Sequence, residues 1–211
     1  MAHINNAINK EIQDALTADN VLQDLLNGNA RFVDSNVNSV DTKTLVEQTI
    51  SGQYPKAVVL SCIDSRVPVE LVFDQTIGDI FVARVAGNFE NTDILGSLEY
   101  SCKVAGSKLV FILGHESCGA VKAACDHVEL GNITALLENI QPAVKLSESQ
   151  VEGAHDSSNT EFVNKTIENN VQLTIDRIRE KSPILKEMED NGEIKIVGGV
   201  YHLSNGKVSM Y

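Results

Sequence analysis

A chain of 211 residues, 43% of them hydrophobic, is long enough to fill one sizeable core and too short for two separate ones to be expected. Its net charge of −12 repels nucleic acid and anionic lipid, and no apolar run reaches the length of a membrane span, so neither is an expected partner. The first residues, Met1-Ala2-His3-Ile4-Asn5-Asn6, show no basic segment followed by an apolar stretch, so a cytoplasmic protein is expected, its four cysteines serving as thiols or metal ligands and not as a disulfide framework.

In chain order, Ile4, Ile8, Ile12 and Leu16 recur every four residues and draw one helical stripe. Leu22, Leu25 and Leu26 continue it in a second helix stopped by Gly28. Residues 1–35 thus form a helical arm, lying on the core or on a partner subunit. Short apolar runs follow at 57–62, 79–84, 108–114 and 194–200, the third continuously apolar. Such runs fit strands buried on both faces of a parallel sheet.

Helical stripes alternate with these strands: Leu95, Leu98, Cys102 and Ala105; Val121, Ala124, Cys125 and Val128; Ile167, Val171, Ile175 and Ile178. Pro68 opens one short helix, and Pro183 opens another that Gly192 follows. Residues 147–160 are polar and aperiodic, as in a surface loop, and the turn Ser204-Asn205-Gly206 introduces a last antiparallel strand. The expected fold is α/β, one domain over 1–211: a mostly parallel central sheet flanked by helices, with an N-terminal helical arm and an antiparallel edge strand at the end.

Sites in open α/β sheets form beyond the carboxyl ends of the strands. Two strands end in metal-ligand residue types, one in Ser61-Cys62-Ile63-Asp64-Ser65-Arg66 and one in Gly114-His115-Glu116-Ser117-Cys118-Gly119. If these strands are neighbours, Cys62, His115 and Cys118 reach one ion. A Cys₂His set suits Zn²⁺ and leaves a fourth tetrahedral position open for chemistry. Taken alone, a Cys at a strand end is ordinarily a small buried hydrophobe, and a His-x-x-Cys pair also arises by chance. Asp64 sits two residues from a ligand, within reach of the open position, and Arg66 can hold it ionised by a bidentate pair. The plainer reading of those two is a helix-capping Asp and a solvated Arg.

Together the motifs Cys62-x-Asp64-Ser65-Arg66 and Gly114-His115-x-x-Cys118-Gly119 resemble the paired signature of the β-class carbonic anhydrases. The resemblance extends to Leu26-x-Gly28-Asn29-x-Arg31-Phe32, Arg84-x-Ala86-Gly87-Asn88, Ser97-Leu98-Glu99-Tyr100 and Val197-Gly198-Gly199-Val200-Tyr201, in the family's order over nearly the whole chain. It implies Cys62, His115 and Cys118 as zinc ligands and Asp64 and Arg66 as the catalytic dyad. It also implies Gln53, Phe81, Ala86 and Tyr100 around a small substrate pocket, with the Gly119 amide facing substrate. It implies N-terminal helices that embrace a second subunit in a homodimer or homotetramer, with the sites close to that interface.

The implied reaction is reversible hydration of carbon dioxide to bicarbonate by zinc-bound hydroxide. Asp64 would aim the nucleophile, and Arg66 would keep Asp64 off the metal. Two thiolates donate more charge than imidazoles, so activity is expected to be greatest at alkaline pH; a pH–rate profile flat from acid through neutral would oppose this. One branch of the family carries a Trp three residues before the first Cys ligand, part of a regulatory bicarbonate pocket; this chain has Val59 there and no Trp, so that regulation is not expected. The rival readings are a same-fold hydrolase of another small heterocumulene, such as carbon disulfide, a non-catalytic zinc protein closed by Asp64, and a thiol redox protein, which the lack of a Cys-x-x-Cys pair disfavours. Cys102 and Cys125 fall on apolar stripes and are expected in the core; His127 is expected to be solvated, His155 sits in the polar loop, and His3 and His202 have no visible partner.

Overall fold

The computed structural model describes residues 3–4 and 6–211. Met1, Ala2 and Asn5, part of the hexapeptide read above for a leader, lie outside the described residues. Strand β1 (His3–Ile4) runs parallel to β2 (Ser39–Val40), apart from the main sheet. Helix α1 (Lys10–Ala15) starts only where the Asn9 side chain accepts from the Ile12 N–H. The expected four-residue stripe is therefore broken: Ile4 is in a strand, Ile12 is 48% exposed, and Gln13 is the residue of α1 that is buried. The Gln13 amide reaches inward to donate to the carbonyls of Pro55 and Ala105, each at 2.8 Å.

Helix α2 (Ala18–Val33), capped by Thr17, buries Val21 and Leu25 against Val59, Phe73 and Phe111 of its own chain. Gly28 is required here, because a Cβ would lie 1.8 Å from the Phe73 carbonyl oxygen. The next residue, Asn29, donates to the carbonyls of Val72 and Gly206 and accepts from the Val208 N–H, tying three distant segments together. Helix α3 (Thr42–Thr49) leads into the sheet.

The sheet runs in the order β4 (Ile80–Arg84), β3 (Ala57–Ser61), β5 (Leu109–His115), β6 (Lys195–Tyr201), β7 (Val208–Met210). The first four are parallel and β7 is antiparallel, as the sequence suggests. Alternate residues serve opposite faces. Val58, Val110, Ile112 and Ile196 join one buried cluster, and Ala57, Val59, Leu109 and Phe111 join the other.

Between the strands lie α4 (Val69–Val72), α5 (Thr92–Glu99) with one π-helical turn over Tyr100–Val104, and α6 (Gly119–Cys125). Then come α7 (Gly131–Glu138), α8 (Gln141–Glu148), α9 (Thr160–Lys181) and α10 (Pro183–Asp190). Helices α7 and α8 are not foreseen above, although Ile133, Leu136, Leu137 and Ile140 stand at helical spacing. The loop expected over 147–160 begins only after Glu148.

Helix α9 lies directly on β5 and β6. A Cβ on Gly114 or Gly198 would come within 2.7 Å or 2.5 Å of a Val171 methyl, so these glycines let helix and sheet approach. No described helix is long and apolar enough to cross a membrane.

Candidate metal centre

The chain passes from β3 outward to β4, then returns across to β5 on the other side of β3. That reversal makes the carboxyl ends of β3 and β5 the switch point at which open α/β sheets bind ligands. Cys62 follows β3 directly and His115 is the last residue of β5. The chain then turns through Glu116 and Ser117, with Ser117 at φ 54°, so that Cys118 caps α6 and faces back toward the same point.

The three side chains converge. Among the described residues, Cys62, His115 and Cys118 are the group of His, Cys, Asp or Glu side chains placed to share a metal ion, all buried, with ligand atoms within 4.8 Å of one another. The two sulfurs are 3.9 Å apart. Two sulfurs at tetrahedral angles around Zn²⁺ would be about 3.8 Å apart, given Zn–S near 2.3 Å. His115 is fully buried; its Nδ1 donates to the Glu116 carbonyl at 2.9 Å, while Nε2 has no hydrogen-bond partner. A ring so held presents a bare lone pair from Nε2, the tautomer a metal needs. The donor set therefore fits zinc.

The hydrogen-bonding contact with Cys118, together with His115 and the Gly87 N–H, pulls the Cys62 thiol down against the opposing effect of burial. The same contact and burial push Cys118 up, opposed by the Val121 and Ala120 amides at the start of α6. A cation at this point would draw both sulfurs to thiolates.

Asp64 Oδ2 lies 4.0 Å from His115 Nε2. Arg66 grips this carboxylate with its whole fork: Nε donates to Oδ1 at 3.0 Å and Nη2 to Oδ2 at 2.7 Å, while its backbone N–H donates to Oδ1 at 2.9 Å. The Arg66 side-chain bonds hold the Asp64 carboxyl down at about 2, overriding the upward effect of partial burial. Nη2 of Arg66 also donates to the Ser117 carbonyl at 3.3 Å, joining the two ligand loops.

Two contributors carry no assigned role in the sequence reading. Arg84, at the end of β4, donates to the Cys62 and Asp64 carbonyls, and Gly87 directs its N–H at Cys62 Sγ from 3.3 Å. Both belong to the Arg84-x-Ala86-Gly87-Asn88 motif, which in sequence marks only a resemblance.

The expected pocket residues divide. Ala86 sits beside Gly87 in the loop against Cys62, and Gly119 opens α6 with nothing within 4 Å of where a Cβ would stand. Phe81 does not join them within one chain: it pairs in register with Val58, four residues before Cys62, which is about 13 Å along the strand. Its ring lies 6.3 Å from that of Tyr100, and both line an open groove of about 600 Å³ between β4 and α5. Gln53 lies in another hollow, beside Ile77 and Gly78.

The remaining histidines and cysteines are also placed. Cys102 and Cys125 are buried in the core, as expected, and His127 is exposed. His155 stacks on Phe162. His202, expected to be unpartnered, in fact meets Glu116 Oε1 at 2.7 Å and Ser209 Oγ at 2.9 Å, because β7 folds back over the turn after β5.

A family model described as carbonic anhydrase matches residues 57–208. The chain is 34% identical to the carbonic anhydrase of Mycolicibacterium smegmatis over 195 residues, covering 88% of this chain and 89% of that one. It is likewise 34% identical to carbonic anhydrase 2 of Mycobacterium tuberculosis, covering 87% of each. Among solved structures, the β-carbonic anhydrase CafA of Aspergillus fumigatus superposes with a TM-score of 0.71 at 26% identity, over 80% of this chain and 81% of that one. A tetrameric β-carbonic anhydrase of Sordaria macrospora does so at 0.70, over 78% and 84%; at 21% identity this likeness speaks to fold alone.

Proposed function

The chain belongs to the β-carbonic anhydrase family, and from that premise we propose that it catalyses the reversible hydration of carbon dioxide to bicarbonate and a proton. The observation that carries the reading is the convergence of two cysteine sulfurs and a bare histidine nitrogen beside a carboxylate locked by arginine.

Cys62, His115 and Cys118 would hold Zn²⁺, which when bound would supply Lewis acidity at this point. The residues of the chain do the rest. Asp64 accepts a hydrogen bond from the attacking water and fixes its direction toward the substrate carbon. Arg66 keeps that carboxylate ionised and occupies both of its oxygens, so Asp64 stands beside the ligand set without taking a coordination position itself. Gly119, at the start of α6 with nothing within 4 Å of where a Cβ would stand, leaves room for its N–H to meet an oxygen of the substrate as negative charge develops there. Ala86 closes the small apolar wall on the side of Cys62. Such a slot suits an uncharged linear molecule.

Gln53, Phe81 and Tyr100 complete the pocket from a second copy of the chain. Tyr100 is 56% exposed, and the groove it shares with Phe81 flanks the edge strand β4, whose outer side is unpaired in the sheet. The working unit is therefore a homodimer or a larger even assembly, each chain acting as one domain. Residues of the N-terminal arm before α2 extend this contact, while α2 serves its own core. The four unpaired cysteines agree with a reducing compartment, the cytoplasm.

The test is stopped-flow carbon dioxide hydration on the purified protein, paired with zinc analysis. Rate is expected to rise in proportion to zinc content. Zinc-replete protein that hydrates carbon dioxide no faster than buffer would refute the assignment.

A further inference from the structure

We propose that Asn170, on α9, is a positioning residue that governs the charge on the Cys62 sulfur through the backbone of Gly87. The inference rests on the reading of Cys62 as a zinc ligand. Asn170 is 1% exposed and its Nδ2 donates to the Gly87 carbonyl at 2.7 Å. The N–H of the same glycine points at Cys62 Sγ from 3.3 Å. One carboxamide thus steers the donor that touches a metal-binding sulfur.

The loop needs such a hold. It leaves β4 with one tie to β3, the Val85 N–H to the Ser61 carbonyl, and closes on itself through the Asn88 N–H to the Val85 carbonyl. Gly87 has φ +82°, and a Cβ there would lie 2.5 Å from Ile140 Cδ1, so no side chain of its own fastens it. Asn170 supplies the fastening from a rigid base. Its neighbour Val171 is seated against Gly114 and Gly198, next to the strand that ends in His115. The sheet that positions the histidine ligand thereby also positions the amide over the cysteine ligand.

The choice of residue supports this role. Asn170 Oδ1 is buried with no hydrogen-bond partner, a penalty an apolar side chain would not carry. The position uses the donor half of the carboxamide. An N–H directed at a thiolate draws charge off the sulfur, leaving less for the metal. Groups of this kind, one step removed from a ligand, typically change metal affinity by roughly 10- to 100-fold.

The experiment compares Co²⁺-substituted wild type, Asn170→Leu and Ile175→Val, the last a buried substitution on the same helix with no bond to Gly87. Wild type is expected to show sulfur-to-cobalt charge-transfer absorption. In Asn170→Leu that band should move to lower energy, and release of zinc to a chelator should slow by roughly 10-fold, because the sulfur keeps more of its charge for the metal. Ile175→Val should leave both unchanged. Asn170→Ser, whose hydroxyl is too short to reach the carbonyl, gives the same shift and serves if the leucine variant does not fold. An unmoved band in the Asn170 variants, or an equal shift in Ile175→Val, overturns the positioning role while leaving the ligand assignment intact. Absence of the band in wild type overturns Cys62 ligation itself, and the inference with it.

Discussion

Arg84 Nε donates to the carbonyl oxygen of Cys62 across 2.8 Å, so the edge strand β4 grips the loop that carries Cys62. Nη2 of the same side chain holds the Asp64 carbonyl at 2.6 Å. Neither bond involves a metal-binding atom, so Arg84→Ala should retain full zinc. It should loosen the path from Cys62 to Asp64, and kcat/KM should fall by roughly 10-fold or more, since small misplacements of reacting groups are costly in rate. Zinc content measured beside carbon dioxide hydration checks this; unchanged kinetics would show that the loop holds its shape unaided.

Asp64→Asn is close to isosteric and removes an acceptor oxygen without touching Cys62, His115 or Cys118. Zinc should remain stoichiometric, while hydration drops by about 100-fold or more, the scale on which positioned acid–base groups act. Turnover at the wild-type rate would remove Asp64 from the mechanism.

Asp79, just before β4, is a buried carboxylate whose pKa is raised, chiefly by burial, with the Lys56 charge and the Thr76 N–H only partly offsetting this. A folded pKa above the unfolded one means that the native state binds the extra proton in the window between them. Asp79 therefore takes away stability as pH rises through that window. Asp79→Asn keeps the acceptor for Thr76 and does not ionise. Its stability relative to wild type should improve from pH 3 towards neutrality and then level off. Urea unfolding across that range tests the sign; a variant that loses ground as pH rises would contradict it.

Gly28→Ala places a methyl group against the Phe73 carbonyl, a backbone atom that does not swing aside. Overpacking of this kind typically costs about 1–3 kcal/mol, and thermal unfolding should show a loss at the upper end of that range. Zinc binding by the folded fraction should be unaffected, because Gly28 lies on the opposite face of the sheet from Cys62 and Cys118.

The sheet was legible because its strands are apolar runs bounded by turns, and the convergence of Cys62, His115 and Cys118 because both of their loops follow such runs directly. What escaped depends on contacts between distant segments. The Ile4-to-Leu16 stripe looked like one helix, yet Gln13 found its partners at Pro55 and Ala105 and turned α1 over. His202 is 86 residues from Glu116, and no local pattern announces that a hairpin will bring them together. The resemblance implies Phe81 and Tyr100 as pocket residues, but the strand register sets Phe81 level with Val58, four residues before Cys62, and the Tyr100 ring lies beside it. Asn170 leaves a faint trace, a polar residue at helical spacing between Ile167 and Thr174 on the buried side of α9.

Zinc K-edge X-ray absorption on the purified protein tests the central claim most directly. Two sulfur scatterers near 2.3 Å and one imidazole nitrogen near 2.0–2.1 Å, with about one further light atom, are the expected shell. A shell of nitrogen and oxygen alone would mean that Cys62 and Cys118 do not bind the metal, and the account built on their convergence would fail.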